Sequence, residues 1–231
     1  YEWGGPFVEG NAWQYTWSVP HDVPGLAAAM GGRSALEARL DSFFRAPSTV
    51  RPGSYGRMIH EMKEFEQFGI GQYNHGNQPG HHVPYLYNHT DAPWKTAPLV
   101  RAIGDDLYLP TPAGYPGDED TGSLGSWYVF TALGFYPIQP GSPTYALGAP
   151  RFPRAELTFD NDNVLVVEAA GIEVPGAVYV QSVTFDGERL TTPFIGHEDL
   201  IGGGTLRFNM GTEPDSILFS GDKDRHTKTG P

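Results

Sequence analysis

Apolar positions recur every three or four residues through the first part of the chain and every second residue in runs nearer its end. Leu36, Leu40, Phe43 and Phe44 form a stripe that predicts a helix over about 35–45 with one buried face. Ser34, with Glu37 three residues on, has the spacing of a capping box at its start. His60-Glu61-Met62-Lys63-Glu64-Phe65 predicts a more polar helix ending near Gly69. Pro93 suits a first helical position, followed by the partly apolar face of Leu99, Val100, Ile103 and Leu107. A last helix is predicted from about Thr121 to Leu133.

From about Ala146 the texture changes. Glu156–Phe159, Val164–Ala169, Val178–Phe185 and Thr205–Met210 are short runs of β-branched and aromatic residues. Asp-Asn, Pro-Gly, Asp-Gly and Gly-Gly turns separate them, a pattern that predicts an antiparallel β-sandwich. Asp186-Gly187 is the clearest hairpin signal. The division expected is a helical part over 1–145 and a strand-rich part over 146–231, joined by the short Pro140-Gly141-Ser142-Pro143 linker, so that the two pack together.

Composition narrows the partners. At 231 residues the chain can bury a real core, and its 30 Gly and 21 Pro make it rich in turns. A net charge of −12 disfavours nucleic acid and anionic membranes, whose phosphates reward basic surfaces, and suits divalent cations or neutral ligands. With no Cys, thiol catalysis and thiolate metal sites are excluded. No run has the length of a membrane-spanning helix. The opening Tyr-Glu-Trp-Gly-Gly-Pro reads as the middle of a domain, which predicts a piece of a longer polypeptide.

The chemistry concentrates in two places. Asp118, Glu119 and Asp120 stand in a Gly-rich turn just before the last predicted helix. Three adjacent like charges disfavour one another, so a cation, a proton or the positive end of a helix must offset them. Helix capping and acid–base or metal chemistry are both open there, and compatible. The segment from Gly71 to Asn88 gathers His75, His81 and His82, several amides and three Tyr, too many rings for a solvated loop. These His, with His89, invite a zinc reading, but adjacent His81 and His82 cannot share a helical face and no His-Glu-x-x-His occurs. Core or outer hydrogen-bonding roles suit them better.

The motifs, in order, resemble those of the family 92 glycoside hydrolases, calcium-dependent inverting exo-α-mannosidases. They are Gly-Pro-Phe-Val-Glu-Gly-Asn-Ala-Trp-Gln-Tyr near the start, His-Glu-Met-Lys-Glu at 60–64, Gly-Asn-Gln-Pro-Gly-His-His at 76–82, Ala-Pro-Trp-Lys-Thr at 92–96, Gly-Asp-Glu-Asp-Thr-Gly at 117–122 and Gly-Phe-Tyr-Pro at 134–137. The resemblance covers nearly the whole chain. It implies the later helices of an (α/α)6 barrel followed by β structure. An N-terminal β-sandwich domain and early barrel helices, outside this sequence, would complete the pocket.

The resemblance also implies roles. Glu9 is the expected general acid, Asp120 the general base and Asp118 its assistant. His60 and Glu61 match a pair that contacts the leaving mannose and favours α-1,2 linkages. The expected calcium ligands come from Asn77, Gln78, Glu61, Glu64 and Asp120. Trp13, Trp94 and Tyr85 are candidates to offer ring faces to sugar C–H groups. Ser123-Leu124-Gly125 departs from the run usual in the family, which bears on helix packing more than on chemistry. Such an enzyme, acting on mannose-containing glycans, is expected to be secreted or associated with the cell envelope. Inversion needs the two carboxyl groups about 6.5–9.5 Å apart, with the acid holding its proton near neutrality and the base ionised. The rival reading is a non-catalytic carbohydrate-binding or structural module of a larger glycan-processing protein.

Overall fold

The computed structural model of the chain describes residues 1–219. Helices α1 (Ala12–Tyr15), α2 (Val23–Met30), α3 (Arg33–Arg45), α4 (His60–Phe68), α5 (Thr96–Leu107) and α6 (Ser123–Leu133) occupy its first part, with a 3-10 turn over Val83–His89 between α4 and α5. Strands β1 (Phe135–Tyr136), β2 (Thr144–Leu147), β3 (Arg154–Thr158), β4 (Val164–Ala170), β5 (Tyr179–Phe185), β6 (Glu188–Arg189), β7 (Phe194–Gly196) and β8 (Gly204–Gly211) follow. A short helix α7 (His197–Ile201) leads into β8.

The apolar stripe of α3 is buried as its spacing requires: Leu36, Leu40 and Phe43 pack with Trp17, Tyr73, Val83, Tyr85, Val100 and Ile103. The expected capping box is absent. The helix begins about two residues earlier, after Gly32 at φ +107, so Ser34 and Glu37 already lie within it. They turn outward to other elements: the Ser34 hydroxyl donates to Asp91 at 2.8 Å, and the Lys95 ammonium donates to Glu37 at 2.7 Å. Lys95 also reaches Asp41 at 2.9 Å, tying the approach to α5 onto α3.

Helix α6 is apolar on nearly all sides, the mark of a helix buried between layers. Leu124 and Trp127 are buried, Trp127 within the helical core, while Phe130 and Leu133 pack on a second core built around Leu165, Val167, Leu206 and Phe208. Its C-terminal cap, Gly134 at φ +94, lets Phe208 approach: a Cβ there would stand 3.1 Å from the Phe208 ring and 2.8 Å from Pro150.

The strands form two sheets, β1-β2-β7 and β3-β4-β8-β5-β6. The expected boundary at 145/146 falls inside β2, which pairs with both β1 and β7. The Asp186-Gly187 hairpin is present, with Phe185 opposite Glu188 and both turn residues at positive φ, +49 and +85. The larger sheet departs from the expected antiparallel pattern in one pair. β8 runs parallel to β4, Leu165 opposite Gly204, and antiparallel to β5. The reason is topological: after β6 the chain leaves for β7 in the other sheet, and α7 returns it in the direction of β4. Among the described residues, no helix is long and apolar enough to cross a membrane.

Candidate active site

Glu9 lies in a loop closed on itself, with the Gly4 amide donating to the Gly10 carbonyl at 3.1 Å. Its backbone is left-handed, φ +51, a conformation uncommon outside glycine. Two contacts hold it there. Its N–H donates to the Tyr55 hydroxyl at 2.7 Å, and the Asn77 side-chain amide donates to its carbonyl at 3.2 Å and to its carboxylate at 3.4 Å. A carbonyl can only accept, so the nitrogen of Asn77 must face Glu9. The following helix starts with a complete capping box between Asn11 and Gln14. Asn11, fully buried, also donates to Gln72 at 3.0 Å, anchoring the loop to the chain leading into the Asn77 segment.

Asp118, Glu119 and Asp120 part company. Glu119 accepts from the amides of Gly122 and Gly125 and so caps α6. Asp118 and Asp120 are left exposed, and Asp120 and Thr121 both adopt positive φ, +53 and +56. Such a pair is rare, the more so for a β-branched residue. Backbone strain of this kind clusters at functional sites, and Asp120, the expected general base, sits in it.

The dipeptide Asn77-Gln78 joins the two loops. While Asn77 holds Glu9, Gln78 donates from its side chain to the carbonyl of Asp118 at 3.1 Å. Behind it, Gly76 and Gly117 cross back to back. A Cβ on Gly76 would lie 2.7 Å from the Pro116 carbonyl, and one on Gly117 only 2.7 Å from the Gly76 Cα.

Under this crossing is the first turn of α4. His60 stands between carboxylates, Nδ1 3.1 Å from Glu64 and Nε2 3.1 Å from Glu61, with Asp118 at 4.0 Å. The hydrogen bond to Glu64 raises the His60 pKa, helped by the surrounding carboxylates against a smaller effect of burial. Burial raises that of Glu64 despite its bond to His60. The second carboxylate oxygens of Glu61 and Glu64 are buried and accept no hydrogen bond from the described residues.

Hard, underused oxygens of this kind suit a calcium ion. Among the described residues, though, no three His, Asp or Glu are gathered as a metal site. Of the expected ligands, Glu61 and Glu64 therefore fit best. Gln78 is adjacent, Asp120 is on the exposed loop, and the Asn77 amide is already engaged with Glu9.

The aromatic candidates lie elsewhere. Trp13 packs under the Arg39 guanidinium, 4.7 Å from its ring centroid, and near Tyr1. Trp94 lines the seam between helical and strand parts with Val180 and Leu218. Tyr85 is fully buried, stacked on Tyr136 and hydrogen-bonded to Thr131, so it offers no face to a sugar.

The histidines of the 71–89 segment are structural struts. The Tyr108 hydroxyl donates to the Leu124 carbonyl, so His75 must donate to Tyr108 from Nε2, at 2.8 Å. Its bare Nδ1 then accepts from Tyr73 at 2.6 Å. His81 and His82 donate from Nε2 to the carbonyls of His75 and Trp17. Burial holds all three imidazoles neutral, His75 far below its ordinary pKa and His81 at about 4. The result fixes the segment carrying Asn77 against α6, the helix that carries the Asp118 turn.

A carboxylate held by the Asn77 amide and an acidic turn tied to the neighbouring Gln78 thus lie on one mixed helix–strand scaffold. Comparison with known proteins gives the family: the chain matches the catalytic-domain model of glycosyl hydrolase family 92 over residues 1–212, and it belongs to that family. An inverting mannosidase of the family from Bacteroides thetaiotaomicron superposes with a TM-score of 0.79 at 43% identity, over 94% of this chain and 29% of that one. An α-mannosidase from the same bacterium, solved with mannoimidazole, gives 0.81 at 31% identity over 91% of this chain and 26% of its own. An uncharacterized secreted glycosidase of Arthroderma benhamiae is 28% identical over 210 residues, 90% of this chain and 24% of that protein. The chain thus spans under a third of the length of these relatives.

Proposed function

We propose that the protein hydrolyses terminal non-reducing α-mannosyl linkages with inversion, α-1,2 linkages by preference, as the later part of an exo-α-mannosidase. The observation that carries this reading is the bridge of Asn77 and Gln78, whose neighbouring amides bind the loop of Glu9 and the loop of Asp118 and so hold acid and base segments to one site. In this reading the helices belong to an (α/α)6 barrel that an N-terminal domain and earlier helices complete. Glu9 protonates the glycosidic oxygen. Asp120, assisted by Asp118, takes a proton from the attacking water on the opposite face of the sugar. His60 and Glu61 touch the leaving mannose and set the linkage preference.

Glu61 and Glu64, with Asn77, Gln78 and Asp120 as the further expected ligands, would hold calcium. When bound it would supply positive charge next to the sugar hydroxyls and offset the carboxylate repulsion. Secretion or attachment to the cell envelope suits glycan substrates and the description of the Arthroderma relative.

The test is mannose release from α-1,2-mannobiose by the full-length protein. Glu9→Gln and Asp120→Asn are each expected to lower turnover by roughly 10²–10⁴-fold. The anomer first seen by NMR should be β-mannose. Near-normal turnover in Glu9→Gln, with only weaker sugar binding, would favour a carbohydrate-binding module instead.

A further inference from the structure

Behind Glu9 the fold leaves a chamber of about 30 Å³, walled by the rings of Tyr15, Phe43 and Tyr73 and by Val83, with Glu9 and Asn77 also lining it. Two amides face this chamber. Asn74 is 4% exposed, and among the described residues neither its side-chain nitrogen nor its oxygen meets a hydrogen-bond partner. Gln14 spends its oxygen on the capping box at Asn11, and its buried nitrogen likewise has no protein partner. Buried polar groups are hydrogen-bonded in nearly all folded proteins, so one such side chain with both ends open indicates a ligand. The neighbours of Asn74, Tyr73 and His75, make the bonds that brace the segment against α6.

The chamber's size selects the ligand. About 10–15 Å³ of such space holds one water molecule, so the chamber has room for about two. Pockets for sugar-sized ligands are on the order of ten times larger. The chemistry agrees: two amide NH2 groups and one amide oxygen, beside the rings of Tyr15, Phe43 and Tyr73, are satisfied by molecules that both donate and accept.

We propose that this chamber is a water-binding site, and that Asn74 and Gln14 are positioning residues that act on Glu9 through the bound water. The proposal rests on the reading of Glu9 as the general acid. Asn77 grips Glu9 from one side and the water supports the carboxyl from the chamber side. Together they restrict the acid to the orientation its backbone imposes.

High-resolution diffraction of the full-length protein, with and without soaked mannoimidazole, and steady-state kinetics on α-1,2-mannobiose test this together. Water density bonded to Asn74 and Gln14 is expected in both crystals. In Asn74→Leu, close in size but apolar, the density should vanish and kcat should fall by about tenfold with KM unchanged. Asn74→Ser, whose hydroxyl leaves room for a further water, should recover most of the rate, which a purely packing role would not give.

A dry chamber in the wild-type crystals, density present only with the sugar analogue, or an unchanged kcat in a folded Asn74→Leu would each overturn the proposal. Glu9→Gln assayed alongside separates the two levels. If that variant is inactive while Asn74→Leu is unaffected, the water site alone fails. If Glu9→Gln retains turnover, the assignment of the acid fails and the proposal with it.

Discussion

Asp118, Glu119 and Asp120 are consecutive, yet their tasks differ because the backbone turns differently at each. Glu119 folds back to cap α6, which removes it from chemistry, while Asp120 is forced into left-handed geometry on an exposed loop. Gly76 and Gly117 matter for the opposite reason: they supply the absence of a side chain where two loops cross. Gly117→Ala is expected to overpack this crossing at a cost of about 1–3 kcal/mol and to pull the Asp118 turn from Gln78. Turnover should fall more than a thermal melt alone would predict, and an active, unshifted variant would show that the crossing does not matter. The sequence announces the acidic turn and Glu9 through their motifs, but not this crossing. Each glycine looks like an ordinary turn residue until the partner loop is in place.

The same distinction holds for the histidines. His75, His81 and His82 look like a metal cluster in sequence, and only burial shows them to be neutral struts. In an unfolded chain they titrate near 6.5, whereas in the folded protein burial depresses their pKa values, His81 to about 4. Below 6.5 the unfolded state therefore binds more protons. Their contribution to stability is complete above that pH and drains away as pH falls, by up to about 1.4 kcal/mol per pH unit for each residue, until the folded pKa is reached. His60 has the opposite sign: its raised pKa gives a contribution present below 6.5 and lost as pH rises through the folded value. Urea unfolding at pH 7, 6 and 5 should show net loss of stability on acidification, with His75→Phe removing part of the slope. A stability that climbs toward pH 5 would contradict the assignment.

At the scale of elements, α6 joins the two cores. Its start carries the acidic turn, its middle places Trp127 at 4.2 Å from the His75 ring, and its end receives Phe208 from the central strand β8. Phe208→Ala, at a fully buried position, is expected to cost about 3–5 kcal/mol in chemical denaturation. The helices and strands themselves were legible from periodicity, since α3 and α5 bury residues of the stripes their sequences display. Element ends were less so. At α3, Ser34 and Glu37 had the spacing of a cap but are claimed by Asp91 and Lys95, partners more than fifty residues away that no local pattern reveals.

At the scale of the whole molecule, the candidate site draws on α4, the Glu9 loop, the Asn77 segment and the turn before α6, spread over more than a hundred residues. A chelator is expected to abolish mannose release, and added calcium to restore it. Changes at His60 should instead alter the preference among α-1,2, α-1,3 and α-1,6 mannobioses while leaving calcium dependence in place, whereas changes at Glu61 should shift both. The ordered motifs made the family readable, because chemistry fixes residue type. Strand order was not readable, because the runs that form β4, β5 and β8 are alike in pattern and nothing in them says which lie side by side.

That order has a consequence for how the protein is made. β4 and β5 are not neighbours; each pairs with β8, which is synthesised after both. On a ribosome the larger sheet must wait with an open slot until residues 204–211 emerge from the exit tunnel. Two strand edges stay unsatisfied meanwhile, a delay that long-range pairing makes slow and prone to association with other nascent chains.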